Sequence, residues 1–315
     1  MNHLNQQYIY NYSCAEEEKS LCKLEMRAFF GKDTNTGMLK SERYIDPNRS
    51  PFIKEQLTIL YEASNFSQLK EQVNKTGRVD GTFKVVLVNP HDVFGQKRIT
   101  FKERRMIERE VGLCLRGEVS LDSPDKRFAV MNVDGQWIFG LYQEAKSIWL
   151  THQKKPHQYS TALNTRVARA VVNIAIPRST GIKAIDPCCG IGTVLIEALS
   201  MGVNIVGNDR NPLIMKGVRE NIKFFGYETD VLLKDMRDIT EQYDVAIIDM
   251  PYNLCSVLSK QEKITMLKSA RSFTRKLVVI SLEEIESAIA TSGFTVKDRG
   301  FVKKGSIIRQ VIVCE

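Results

Sequence analysis

Lys183-Ala184-Ile185-Asp186-Pro187-Cys188-Cys189-Gly190-Ile191-Gly192-Thr193 decides the fold. A short apolar run ends on a carboxylate, two glycines allow a tight turn, and Val194-Leu195-Ile196 then resumes with apolar side chains. That is the pattern of a buried strand turning sharply into a helix. Downstream the same alternation repeats. Strands are predicted near 183–186, 204–208, 230–233, 244–248, 276–281, 295–301 and 307–313, with helices near 193–201, 211–225, 260–273 and 282–291. Strand and helix in alternation predict an α/β domain over 161–315, a doubly wound, Rossmann-like parallel sheet. No helix separates the last two strands, so they form a hairpin at Lys303–Ser306 with one strand antiparallel.

Upstream, Ala162–Ala175 reads as an amphipathic helix, with Leu163, Val167, Ala170, Val171 and Ile174 on one face and Arg166 and Arg169 off it. The polar stretch 146–160, with Lys154-Lys155-Pro156-His157, reads as an interdomain linker. Residues 1–64 read as a small α+β unit. Its strand at Tyr8–Tyr12 is followed by a helix opened by Ser13 and Glu16–Glu18 and closed by Gly31, then by a strand at Gln56–Tyr61. Residues 65–145 read as a second unit with a strand at Phe83–Val88 and a helix at Thr100–Arg116 capped by Gly117. Ile107, Val111 and Leu115 share one face of that helix, while Arg104, Arg105, Arg109 and Arg116 lie elsewhere. Strands at Arg127–Val133 and Trp137–Tyr142 are joined by Asp134-Gly135, a type I′ hairpin signal.

The chain has 315 residues, 43% of them hydrophobic and 26% charged, which suits an ordinary globular protein with room for two domains. No apolar run approaches the length of a membrane span. Met1–Gln7 lacks a basic region followed by an apolar block, so a cytoplasmic protein is expected. Seven scattered cysteines without a CxxC pair read as free thiols, and no metal site is predicted. The net charge is +8; residues 1–155 carry 24 basic and 20 acidic side chains, so the excess of +4 in each half favours a polyanion lying across both.

In a sheet of this kind, ligands sit beyond the carboxyl ends of the strands, where the strand order reverses. The candidates obey that rule. Asp186-Pro187-Cys188 ends the first strand, and Gly190 and Gly192 let backbone N–H groups at the helix starting with Thr193 approach a ligand. Asp209, with Arg210 after it, follows the second strand, where a carboxylate can accept both hydroxyls of a ribose. Asp235 follows the third, placed to meet an adenine amino group, with Met236 available to pack on the ring. A dinucleotide fingerprint would need glycine at 195, where Leu195 stands, so no pyrophosphate site is indicated.

Asp249-Met250-Pro251-Tyr252 closes the fourth strand. It resembles the (D/N)-P-P-(Y/F) motif of enzymes that methylate exocyclic amino nitrogens. A conjugated amino group is a poor nucleophile. Acceptors for its two hydrogens draw the nitrogen towards tetrahedral geometry and aim its lone pair. Asp249 and the Met250 carbonyl fill that role, with Pro251 stiffening the turn and Tyr252 stacking on an extruded base.

With the upstream Asp-Pro-x-x-Gly-x-Gly-Thr run, residues 155–315 resemble a class I S-adenosylmethionine-dependent methyltransferase domain. Val111–Asp125, with the following strand pair, resembles the C-terminal half of a THUMP domain. The whole chain is similar to the THUMP-containing tRNA guanine-N2-methyltransferases. That resemblance implies a ferredoxin-like unit, a THUMP RNA-binding unit, a linker and a catalytic domain. It further implies S-adenosyl-L-methionine as cofactor and tRNA as partner, with guanine 10 or 6 as target. Arg104, Arg105, Arg109, Lys154 and Lys155 become candidates for RNA contacts. The same acceptor geometry would serve an adenine N6 or cytosine N4 amino group, and a third reading is an RNA-binding protein that keeps the cofactor fold without turnover. Oligomeric state and any accessory protein are left open.

Overall fold

The computed structural model describes residues 6–88, 99–159, 162–251 and 258–315. The chain divides into two compact units: one takes the described parts of 1–13, 34–48 and 52–146, the other 14–33, 49–51 and 147–315.

The first unit begins with β1 (Tyr8–Tyr12). Helix α1 (Lys19–Phe30) belongs to the second unit and closes, as expected, on Gly31 at φ +73°. The first unit resumes with β2 (Met38–Ser41), β3 (Ile53–Ala63), α2 (Phe66–Val73), β4 (Arg78–Leu87), α3 (Phe101–Gly112), β5 (Arg116–Val119), β6 (Lys126–Val133) and β7 (Gln136–Glu144). All seven strands form one sheet, ordered β2-β1-β3-β7-β6-β4-β5. Because β3 pairs with β7, Leu57 opposite Tyr142, the expected 1–64 and 65–145 units share a sheet. The β6–β7 turn has Asp134 and Gly135 at φ +50° and +86°, as a type I′ hairpin requires.

Helix α3 starts with a capping box: Thr100 Oγ1 accepts from the Glu103 N–H at 3.2 Å, and Glu103 Oε2 accepts from the Thr100 N–H at 2.7 Å. It ends at Gly112, short of the expected Arg116-Gly117. Residues 116–119 instead pair in parallel with β4, with Phe83 opposite Val119.

Gly140 on β7 marks the closest backbone approach in this sheet: a Cβ there would lie 1.9 Å from the Thr58 carbonyl oxygen. Gly140→Ala should therefore force β3 and β7 apart and destabilise the protein by about 3 kcal/mol. Urea unfolding tests this, and a midpoint equal to that of the parent protein would show that the strands yield freely.

The second unit is built on β8 (Lys183–Asp186), β9 (Asn204–Asp209), β10 (Val231–Leu233), β11 (Tyr243–Asp249), β12 (Thr274–Ser281), β13 (Val296–Lys304) and β14 (Ile307–Cys314). Their order is β10-β9-β8-β11-β12-β14-β13. The strands β8 to β12 are mutually parallel and β14 runs against both neighbours, as the missing helix predicted. Between them run α5 (Thr193–Ser200), α6 (Met215–Phe224), α7 (Lys260–Phe273) and α8 (Glu286–Thr291), after α4 (Thr165–Ala175). The core takes Ile185, Ala246, Ile248, Leu277, Val279 and Ile312 from the sheet and Leu267 and Phe273 from α7.

Two features of this unit go beyond what the sequence reading showed. The stretch read as a linker holds a 3₁₀ segment at Ile148–Gln153, with Trp149 and His152 buried. Arg169, placed off the apolar face of α4, is 1% exposed. A second surface covers that side of the helix: α1 and residues 49–51 pack on it within the same unit. Among the described residues no helix is long and apolar enough to cross a membrane.

Candidate active site

The sheet order reverses at β8, which pairs with β9 on one side and β11 on the other. At the carboxyl ends of these strands lies a cleft of about 360 Å³, lined by Asp186, Pro187, Cys188, Gly190, Thr193, Asp209, Arg210, Asp235, Met236, Asp249, Met250 and Pro251, with Tyr159, Ile214, Leu258 and Met266 among the further walls. The parallel register places Asp186, Asp209 and Asp249 on one face, since Asp186 pairs with Gly207 and Ile185 with Ala246, each two-residue step returning to the same side.

Each carboxylate has a different setting. Asp186 is buried, and its Oδ1 accepts from the Cys188 N–H at 3.2 Å, which shapes the turn. Burial, opposed by that bond and reinforced by Asp209 and Asp249, holds its carboxyl well above the ordinary range. Asp209 accepts from the Gly190 N–H at 3.0 Å through Oδ2 and from the Asn211 N–H at 2.9 Å through Oδ1. Asp235 caps the following 3₁₀ turn and takes Arg237 in a two-point pair at 2.9 and 2.6 Å, which lowers its carboxyl to about 2. Arg237 is thus a cleft residue the sequence did not single out.

Asp249 differs from all three. Its Oδ1 is sealed from solvent and has no hydrogen-bond partner among the described residues, and burial, opposed by Arg309, lifts the carboxyl to about 7. The strand end beneath it is fixed, because the Met250 N–H donates to the Ile280 carbonyl at 2.9 Å. A rigidly placed acceptor without a donor is a site built for a donor that arrives with a ligand. Tyr252, expected to stack on a base, lies outside the described residues.

The glycine turn is built as the sequence predicts. Gly190 and Gly192 sit at φ +52° and +83°, and a Cβ at 192 would meet Val218 at 2.8 Å. Asn221, buried on α6, ties this turn to the chain entering the domain: its Nδ2 donates to the Ile191 and His157 carbonyls at 3.1 Å each, and its Oδ1 accepts from the His157 N–H at 2.9 Å. The only sequence signal was a polar residue between the apolar positions Val218 and Ile222. Burial pushes the Cys188 and Cys189 thiols up, which leaves both protonated and unreactive at neutral pH.

Of the residues assigned to RNA, Lys154 is exposed, as are Arg104, Arg105 and Arg109 on α3. Arg104 also lines a polar cleft of about 290 Å³ in the first unit with Lys84, Arg127 and Glu55. Lys155 is corrected. It is buried, and its Nζ donates to Thr193 Oγ1 at 2.8 Å at the start of α5 instead of facing solvent as Lys154 does.

This strand order, with its glycine turn and its aspartates at the switch point, defines a class I methyltransferase domain. Residues 152–292 match the family model described as UPF0020, RMKL-like, methyltransferase domain. The chain is 29% identical over 185 residues to the tRNA (guanine(10)-N2)-dimethyltransferase of Methanothermobacter thermautotrophicus, covering 54% of this chain and 55% of that protein. It is 28% identical to the enzyme of the same name from Pyrococcus abyssi, covering 57% and 55%. The chain therefore spans about half the length of the curated relatives it matches. Among solved structures, TrmN from Thermus thermophilus matches with a TM-score of 0.50 at 17% identity over 98% of this chain and 99% of that one, a likeness of fold.

Proposed function

We propose that this protein transfers a methyl group from S-adenosylmethionine to the N2 amino group of a guanosine in tRNA. The observation that carries this reading is the sealed, unpartnered Oδ1 of Asp249 at the lip of a cleft formed by the glycine turn. The names of the archaeal relatives support guanine N2 as the target and tRNA as the substrate.

The cleft fits an adenosyl cofactor on its donor set. Asp209 would hold the ribose hydroxyls with the lone pairs its backbone bonds leave free. The N–H groups at the turn before α5 would meet the amino-acid end, and Met236 with Asp235 would meet the adenine. Bound there, the cofactor supplies an electrophilic methyl on a sulfonium. Asp249 and the Met250 carbonyl take the two amino hydrogens and aim the nitrogen lone pair at that methyl carbon. The bonding pair of that methyl would remain with the cofactor's sulfur, and Asp249 would take the proton that the alkylated nitrogen must lose and pass it to water. Arg104, Arg105, Arg109 and Lys154 grip the phosphate backbone. The first unit acts as the THUMP-like RNA-binding part, in a protein working in the cytoplasm.

The test is transfer of labelled methyl from S-adenosylmethionine to total tRNA, followed by nucleoside mass spectrometry. N2-methylguanosine is the expected product. Label only in N6-methyladenosine or N4-methylcytidine, or no label at all, would overturn the reading.

A further inference from the structure

Resting on that reading, we infer that Lys155 is a positioning residue for the cofactor's carboxylate: its ammonium fixes the Thr193 hydroxyl as a donor into the cleft and places a positive charge behind it. The contact is direct, since Lys155 Nζ donates to Thr193 Oγ1 at 2.8 Å. Thr193 is the first residue of α5 and lines the cleft with Gly190.

Hydrogen-bond arithmetic sets the direction of that hydroxyl. An ammonium only donates, so its bond consumes a lone pair of Oγ1 and leaves the O–H proton uncommitted. Among the described residues Oγ1 has no other partner. Thr193 opens its helix, so α5 offers no carbonyl one turn back to take the proton. The O–H therefore joins the first-turn N–H groups of α5, which have no intrahelical acceptor, as a further donor at the glycine turn.

The ammonium is a second and independent observation. Lys155 is 9% exposed, and its Nζ, with three protons to give, has one hydrogen-bond acceptor among the described residues. None of their carboxylates comes within ion-pair reach of it. Glu197, one turn along α5, is the acidic group that acts on it, and both its oxygens are engaged: Oε1 lies 2.8 Å from His152 Nδ1 and Oε2 lies 2.7 Å from Arg169 Nη1. Burial lowers the pKa of Lys155, and the N-terminal end of a helix dipole also opposes a positive charge. A cation held against both, with donors to spare, lacks an anion. The cleft beside Thr193 is where a ligand's carboxylate would supply one. Arg210 and Arg237, which also line the cleft, follow β9 and β10 at the ends assigned to ribose and adenine, and Arg237 is already bound to Asp235.

The experiment is calorimetric titration of the full-length protein with S-adenosylmethionine and with its decarboxylated form, which differ only in the carboxylate. No RNA is present, so the readout is independent of methyl transfer. If Lys155 only tied the entering segment to α5, its loss would affect both ligands alike. Lys155→Met removes the charge and keeps an unbranched side chain. It should weaken S-adenosylmethionine about ten- to a hundredfold, the range for losing a hydrogen bond to a charged group. Affinity for the decarboxylated form should not change, and that retained binding shows that the cleft is still folded. Thr193→Val should produce the same selective loss, and Thr193→Ser should recover it. Because the two residues act in series, Lys155→Met combined with Thr193→Val should lose little more than either alone. Weakening of both ligands alike in Lys155→Met, or of neither, overturns the inference, as does a parent protein that binds the two forms equally. A parent protein that binds neither form sinks the cofactor reading itself, and the inference with it.

Discussion

Asp249→Ala is expected to lower methyl transfer about a hundred- to a thousandfold, the usual loss when one preorganised hydrogen-bond partner of a transition state is removed, while leaving the protein at least as stable as before. The two halves of this prediction share one cause. The carboxylate is held in a partly buried place with Oδ1 unbonded, a setting that disfavours its charge and lifts it from an ordinary value of 3.8 to about 7. Between those values the folded protein binds more protons at this group than the unfolded chain does. Its contribution to stability therefore falls as pH rises through the window from about 4 to about 7, and the penalty is complete above about 7. Removing the carboxylate removes that penalty. Asp249→Ala should melt higher than the parent at pH 8, and the gain should vanish towards pH 4. Calorimetry at the two pH values, beside the transfer assay and a cofactor-binding titration, checks it. A variant that loses activity because it melts lower at pH 8, or because it no longer binds cofactor, would show that Asp249 is a structural residue.

How much of this was legible in the sequence depends on the range of the interaction involved. The strands of the second unit were predictable because each is a short apolar run between turn residues, and the antiparallel β14 followed from a missing helix. The glycine turn, the four aspartates and the Asp-Met-Pro segment were legible because strand-ending residues in an α/β sheet converge by topology alone. What was not legible involved partners far apart in the chain. Lys155 sits in a polar run with every mark of an exposed linker, and only the fold brings Thr193, 38 residues away, to its ammonium. Helix α1 reads as part of an N-terminal unit until Glu25 is found bonded to Asn173, 148 residues on.

Arg169 on α4 shows the same limit and carries the second large prediction. Helical periodicity assigns one apolar stripe, and a residue off that stripe is read as solvent-facing, yet Arg169 and its partner Glu197 are 1% and 0% exposed. Arg169 Nη1 donates to Glu197 Oε2 at 2.7 Å and to Ser200 Oγ at 2.9 Å, and its Nε donates to the Arg49 carbonyl at 2.8 Å. His152 Nδ1 lies 2.8 Å from Glu197 Oε1. Beside this cluster Glu25, lifted to about 7 by burial against the pull of Ser50 and Asn173, is bonded to both. The network therefore joins α4, α5, the segment entering the domain and α1 through groups that have no water to fall back on. Arg169→Met should leave the Glu197 carboxylate buried with its charge uncompensated, a loss of about 3–5 kcal/mol. At about 2–4 °C for each kcal/mol in a domain of this size, the melting temperature should fall on the order of 10 °C. The double variant Arg169→Met, Glu197→Leu should recover much of that loss, because removing both charges also removes the orphaned one. If the single variant melts within a degree or two of the parent, or the double melts no higher than the single, the pair does not hold these elements together and the stability of the unit must come from its apolar contacts alone.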